Sequence, residues 1–236
     1  MDKHLIGEFM GTLMLVLIGN GTVANVVLKK TLGNNSGWLV ICFGFLTAVM
    51  LGVFTAVACG SDAAFLNPGV TIAVAVRTGD FSNLLPFGLA QLLGAMAGGI
   101  LVWVNFLPHW KETPDAASKL ACFSTGPAIR SFVPNLISET LGTFLLAFFI
   151  MAIVKMNPAP GLTPYLVGSA VFAVGLSMGG TTGFAINPAR DLGPRIAHAI
   201  LPIPGKGGSD WGYAPVPVVG GLLGGALAGA VVRVLF

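Results

Sequence analysis

The chain has 236 residues, of which 55% are hydrophobic and only 9% charged, with 33 glycines and a formal net charge of +3. A soluble globular domain carries about a quarter charged residues, so this composition excludes one and reads as an integral membrane protein. The basic residues form no run, which leaves nucleic-acid binding unsupported, and Cys42, Cys59 and Cys122 have neither metal-ligand spacing nor the even count of a disulfide framework.

About 20 apolar residues cross the hydrocarbon core of a bilayer. The sequence predicts a first span over residues 5–28, carrying Glu8, closed by Lys29-Lys30 and without the small-residue cleavage pattern of a removed signal. A Gly/Asn turn leads to a second span, 38–58. Asn67-Pro68 then opens a short helix ending near Arg77, because Asn is a strong N-cap and Pro suits the first helical position. A third span follows over 82–106, then a polar stretch, 108–130, expected as an aqueous loop. The fourth span covers 132–154, and a Pro-rich turn with Pro158, Pro160 and Pro164 leads to the fifth, 165–180. Asn187-Pro188 opens a second short helix, with a shorter run before the next Gly or Pro. A Gly-rich loop, 202–210, precedes the last span, 213–235. Trp38, Trp103, Trp110, Tyr165, Trp211 and Tyr213 fall near span ends, where amphipathic rings form interfacial belts. Gly7/Gly11, Gly94/Gly98, Gly175/Gly179 and Gly221/Gly225 have the small-residue spacing that lets helices approach closely in lipid.

The chain is internally duplicated. Gly7-Glu8-Phe9-Met10-Gly11-Thr12 matches Ser138-Glu139-Thr140-Leu141-Gly142-Thr143, and the Asn-Pro pairs recur in the same order. Each half holds three spans and one half-helix. An odd number of spans makes the second half enter the membrane from the opposite side, giving inverted repeats of about 1–107 and 131–236 within one channel domain. A ten-residue helix rises about 15 Å, half of a ~30 Å core. Two such helices entering from opposite faces would meet N-terminus to N-terminus. The expected fold is an all-α membrane protein with six transmembrane helices and two re-entrant half-helices.

Non-helical backbone at membrane depth is tolerated only where it is buried or lines a water-filled path. The segments before Asn67 and Asn187 would therefore present carbonyl oxygens along a pore. The two Asn side chains would offer amide donors beside two positive helix ends. That suits a neutral solute with oxygen lone pairs and repels cations, protons included. Glu8 and Glu139 lie deep in the first span of each half, where a carboxylate needs a partner. They either brace the irregular backbone or relay protons in a coupled transporter. Arg190 follows Asn187-Pro188-Ala189 and has no counterpart in the first half. It either pairs with Asp191 or presents a pore-facing guanidinium.

The two Asn-Pro boxes, the repeated Glu-x-x-Gly-Thr segments and the run Asn187-Pro188-Ala189-Arg190-Asp191-Leu192-Gly193-Pro194-Arg195 resemble the aquaporin, or major intrinsic protein, family over nearly the whole chain. Asp191 resembles its glycerol-facilitator branch. The resemblance implies a pore in each protomer, a homotetramer in the cell membrane with cytoplasmic termini, and no cofactor or enzymatic activity. It implies a passive channel for glycerol and similar polyols and for water, with dihydroxyacetone, urea or undissociated lactic acid as further candidates. A proton-coupled secondary transporter of a small solute is the alternative. Carried over by position, the filter would comprise Arg190, Phe184, Gly175 and Phe45, with Phe43 the other candidate for the second-span aromatic. Pro68, Pro188, Glu8 and Glu139 would be structural supports. This sequence departs from the family in Ser61-Asp62-Ala63-Ala64-Phe65 before the first box, in Gly69 at its end, and in Phe45 where glycerol channels usually place Trp. Charge argues against the implied orientation. Lys3, Arg77, Lys155 and Arg233 would lie inside, whereas Lys29, Lys30, Lys111, Lys119, Arg130 and Lys206 would lie outside.

Overall fold

A computed structural model describes residues 2–236, and among these it contains helices and connecting loops without strands. The order is α1 (Lys3–Val27), α2 (Trp38–Ala58), α3 (Pro68–Thr78), α4 (Leu84–Asn105), α5 (His109–Glu112), α6 (Ala116–Ala121), α7 (Phe132–Lys155), α8 (Leu162–Ser177), α9 (Pro188–Ile200) and α10 (Pro215–Leu235). Five helices (α1, α2, α4, α7 and α10) are long and apolar enough to cross a membrane, and α8, at 16 residues, is a shorter apolar helix. The short helices α3 and α9 together rise about 36 Å at ~1.5 Å per residue, the length of one full span divided in two.

Packing follows the duplication. α1 packs against α2 and α4, as α7 packs against α8 and α10. The half-helices are exchanged: α3 lies mainly against α10 and α9 against α4, so each is held by the last span of the other half. α2 meets α8 across the centre. The sequence of the long helices explains which face turns inward. In α10, Val219, Leu223, Leu227 and Val231 are exposed at every fourth residue, whereas Gly220, Gly221, Gly224, Gly225 and Gly229 are buried. In α4, Leu85, Leu89 and Leu93 form the outer stripe, with Gly94, Gly98 and Gly99 inward. Lipid is as apolar as leucine, so nothing drives leucine inside; close backbone packing over glycine holds the bundle instead. A β-carbon at Gly98 would lie 2.7 Å from the Leu13 carbonyl oxygen of α1. One at Gly69 would lie 2.8 Å from that of Gly221 in α10.

Three elements differ from or extend the sequence reading. First, α9 runs through Gly193-Pro194 and continues to Ile200 with Pro194 inside it. Gly193 lets this turn press against α4, since a β-carbon there would sit 2.7 Å from Ala95 Cβ and 2.8 Å from the Leu92 oxygen. Tertiary packing thus overrides the cost of an internal proline. Second, α8 begins and ends three residues earlier than expected, because Pro164 sits in its first turn, where a missing N–H leaves nothing unpaired. Third, the stretch 108–130 is more than an aqueous loop. It folds into α5 and α6 and buries Trp110 and Phe123, whose rings lie 5.7 Å apart. Trp110 donates to the Trp103 carbonyl at 3.0 Å and Tyr213 is also buried, so neither belongs to an interfacial belt.

Four of the six cations that the family topology would place outside have partners within the fold. Lys206 donates to the carbonyls of His198, Ala199 and Leu201 at 2.6–2.7 Å, closing the C-terminal end of α9, where a cation is favourable. Lys119 is buried and donates to Pro204. Lys30 pairs with Glu112, and Arg130 with Asp210, each at 2.5 Å. Glu112 is held below the usual carboxylate range by Lys30.

Candidate functional site

The two non-helical segments before Asn67 and Asn187 share one backbone pattern. Ala64 and Leu66 have φ of 44° and 54°, and Phe184 and Ile186 have φ of 39° and 40°, at the same offsets from their asparagines. Left-handed backbone at a non-glycine residue costs roughly 1–2 kcal/mol, so four such residues persist only if neighbours fix them. The two glutamates do so. Glu8 Oε1 accepts from the N–H of Phe65 at 2.9 Å and the Ser61 hydroxyl at 2.8 Å. Its Oε2 accepts from the Leu66 N–H and from Gln91 Nε2, both at 2.8 Å. Glu139 accepts from the N–H of Ala185 at 3.0 Å and of Ile186 at 2.8 Å. With these N–H groups drawn back to the carboxylates, the carbonyls of Ala63, Ala64, Phe65, Phe184 and Ala185 have no donor among the described residues. All five residues line the central cavity.

Asn67 and Asn187 cap α3 and α9, ahead of Pro68 and Pro188 at the first helical positions. Asn67 Oδ1 accepts from the Gly69 N–H at 2.8 Å, and Asn187 Oδ1 from those of Ala189 and Arg190. Their amides also cross between the halves. Asn67 Nδ2 donates to the Ile186 carbonyl and Asn187 Nδ2 to that of Leu66, each at 2.8 Å. The N-termini of the half-helices therefore abut, and one of the two N–H bonds of each amide is spent locking them. The other remains for the cavity that both residues line.

That cavity has a volume of about 250 Å³. Phe45, Phe184 and Arg190 line it with the two asparagines. Phe45 and Phe184 meet edge to face at 5.3 Å, and the Arg190 guanidinium lies 4.6 Å from the centre of the Phe45 ring. Arg190 Nη1 is buried and has no hydrogen-bond partner among the described residues. Gly175 stands beside Phe184: a β-carbon there would sit 3.1 Å from the phenylalanine ring and 3.1 Å from Cys42 Sγ. Phe43 is 57% exposed and packs against Phe172, whereas Phe45 is 3% exposed, so Phe45 supplies the cavity wall.

The pairing of Arg190 with Asp191 does not form. Asp191 pairs with Arg195, one helical turn on, at 2.8 Å, and both are fully buried. Asp191 also accepts from the backbone N–H and the hydroxyl of Thr125, both at 2.8 Å. Arg195 donates onward to the carbonyls of Thr125, Ser209 and Asp210. Gln91, Ser61, Thr125 and Arg195 carry this framework, and the sequence reading assigned none of them a role. Gln91 had a usable signal, as an uncharged polar side chain deep in an apolar span. Arg195 did too, at i+4 from Asp191 on a helix.

Comparisons with known proteins agree with this geometry. The family model described as Major intrinsic protein matches residues 1–232. A glycerol uptake facilitator protein from Streptococcus pneumoniae is 54% identical over 229 residues, covering 97% of each chain. A D/L-lactic acid transporter from Lactiplantibacillus plantarum is 37% identical, covering 97% of this chain and 95% of its own. The X-ray structure of the aquaglyceroporin from Plasmodium falciparum superposes with a TM-score of 0.84 at 27% identity, covering 98% of this chain and 95% of that one. With family match, relatives and fold in agreement over almost the full length, this chain belongs to the major intrinsic protein family of membrane channels.

Proposed function

We propose that this channel conducts glycerol and similar small polyols, with water, passively across the cell membrane. The observation that carries the reading is the wall of the cavity beside Arg190. It offers aromatic rings, Phe45 and Phe184, together with the Arg190 guanidinium and a row of unpartnered carbonyls. A polyol has a hydrocarbon edge and a hydroxylated edge, and such a wall replaces water around both. Each hydrogen bond is worth about 1 kcal/mol net, weak enough for fast release, as conduction requires. Arg190, Phe184, Phe45 and Gly175 form the filter, and Asn67 and Asn187 form a second contact point where the half-helices meet. Glu8, Glu139, Pro68 and Pro188 hold the broken backbone in shape. Residues 1–236 act as one channel domain of inverted repeats, about 1–107 and 131–236, assembled as a homotetramer with cytoplasmic termini. The family resemblance supports that assembly and orientation.

Swelling of proteoliposomes in a panel of water, glycerol, dihydroxyacetone, urea and lactic acid tests the solute class. Glycerol flux well above that of empty vesicles is expected, and its absence would contradict the reading. Lactic acid should enter only as the undissociated acid, since the anion would lose its hydration at a cost of several kcal/mol. Its rate should fall about tenfold per pH unit above the acid's pKa, and uptake independent of pH would oppose a neutral-solute pore.

Gly175 gives a sharper test of the filter. A side chain there must enter the space held by the Phe184 ring. Gly175→His should suppress glycerol flux about tenfold or more while reducing water flux far less, because a polyol needs the wider passage. Equal loss of both would remove Gly175 from the filter.

A further inference from the structure

We infer that Trp38, which stands outside the cavity wall, is a positioning residue that sets the aperture of the filter. The inference rests on the channel reading above and extends it to a residue whose place in the sequence predicts only an interfacial belt.

Trp38 is the first residue of α2 and is 39% exposed. Its indole Nε1 donates to the Gly175 carbonyl at 3.1 Å, across 137 positions of sequence. That carbonyl lies in the last turn of α8 and also accepts from the Gly179 N–H at 3.2 Å. The bond therefore fastens the start of α2 to the end of α8 beside a filter position. The indole ring meets Phe184 edge to face at 5.4 Å and 76°. Phe45 meets Phe184 at 5.3 Å and the same angle. Phe184 is thus clasped between two rings, one lining the cavity and one behind it.

The clasp has a physical reason. Phe184 has a left-handed backbone, φ 39°, where a bulky residue is not held by its own conformational preference. Gly175 and Gly179 supply no side chains to confine it. A β-carbon at Gly179 would fall 2.6 Å from the Phe184 ring and 2.9 Å from the Trp38 ring, so both rings occupy the space that glycine leaves. With Phe184 bounded by glycine on α8, Trp38 is the large group that stops its ring from swinging away from Phe45. The line from the Trp38 ring through Phe184 and Phe45 to the Arg190 guanidinium is continuous. Without Trp38, Phe184 is free to move outward and the filter widens.

The test compares wild-type protein, Trp38→Phe and Trp38→Ala in proteoliposomes, measuring permeability to water, glycerol and the five-carbon polyol xylitol. The readout is the xylitol-to-glycerol ratio, which a loss of functional copies leaves unchanged. Trp38→Ala should raise it by about three- to tenfold, the scale of losing one edge-to-face aromatic contact. Trp38→Phe keeps a ring but loses the N–H and should raise it by a smaller factor. It also decides the matter if the alanine variant does not fold. A ratio unmoved in Trp38→Phe, or all three permeabilities falling by one common factor, would overturn the inference. Absence of glycerol flux in the wild-type protein would instead overturn the channel reading itself.

Discussion

Glu8→Gln should lower the thermal unfolding midpoint of the purified protein on the order of 10 °C. Glu8 accepts from four donors, two on each carboxylate oxygen. A glutamine offers one oxygen and one NH₂ group. Whichever way it turns, the NH₂ faces two donors, which loses two hydrogen bonds and leaves buried N–H or O–H groups unpaired. Each unsatisfied buried group costs about 1–3 kcal/mol, so the loss is several kcal/mol. At about 2–4 °C per kcal/mol for a chain of this size, the shift is large and measurable. Glu139 accepts two backbone N–H bonds at the corresponding place, and Glu139→Gln should be damaging to a lesser degree. Thermal unfolding in detergent, followed by intrinsic fluorescence, measures both. Unchanged stability in Glu8→Gln together with loss of pH-driven solute movement would make Glu8 a proton relay and favour a coupled transporter.

Arg190→Ala should leave the fold intact and weaken the exclusion of ions and protons by about tenfold or more. Arg190 keeps no counter-ion, because Asp191 is already neutralised by Arg195. Removing the guanidinium therefore strands no buried carboxylate. It removes the fixed positive charge from the cavity wall, where a single cation forms an electrostatic barrier. Arg190→Lys separates the two contributions. The ammonium retains the charge but lacks the planar face that lies over Phe45, so ion exclusion should persist while glycerol flux falls. Arg195→Ala should behave oppositely, destabilising the protein by about 3–5 kcal/mol because it leaves Asp191 buried and unpaired. Proton flux reported by a pH-sensitive dye, alongside glycerol flux, resolves these outcomes. Unchanged ion leak and solute profile in Arg190→Ala would remove Arg190 from the filter.

Most of the architecture was legible in the sequence because membrane spans are coded by simple length and hydropathy. α2 falls on the predicted residues, since an apolar run bounded by Trp38 and the polar stretch after Ala58 leaves little choice. The glutamate braces were legible as one of two readings, from their matching places in the duplication. What the sequence hid was any feature decided by three-dimensional packing. Phe43 and Phe45 are equally apolar, and neither spacing nor composition distinguishes a side chain facing lipid from one facing the cavity. The alternative of an Arg190–Asp191 pair considered only the sequence neighbour, whereas Asp191 pairs with Arg195, one turn on. Adjacent residues on a helix point apart, whereas residues at i and i+4 share a face. The Asp191–Arg195 ion pair was therefore legible in the spacing of the helix. The role of Trp38 was not legible at all, because its partner lies 137 positions away.

The most direct test of passive conduction measures glycerol movement in proteoliposomes as concentration and pH gradients are set independently. Glycerol flux should be proportional to its own gradient, vanish when the two sides are equal, and carry no proton current at any imposed pH difference. Accumulation of glycerol above equilibrium, driven by a pH gradient alone, would contradict a channel and identify a coupled transporter.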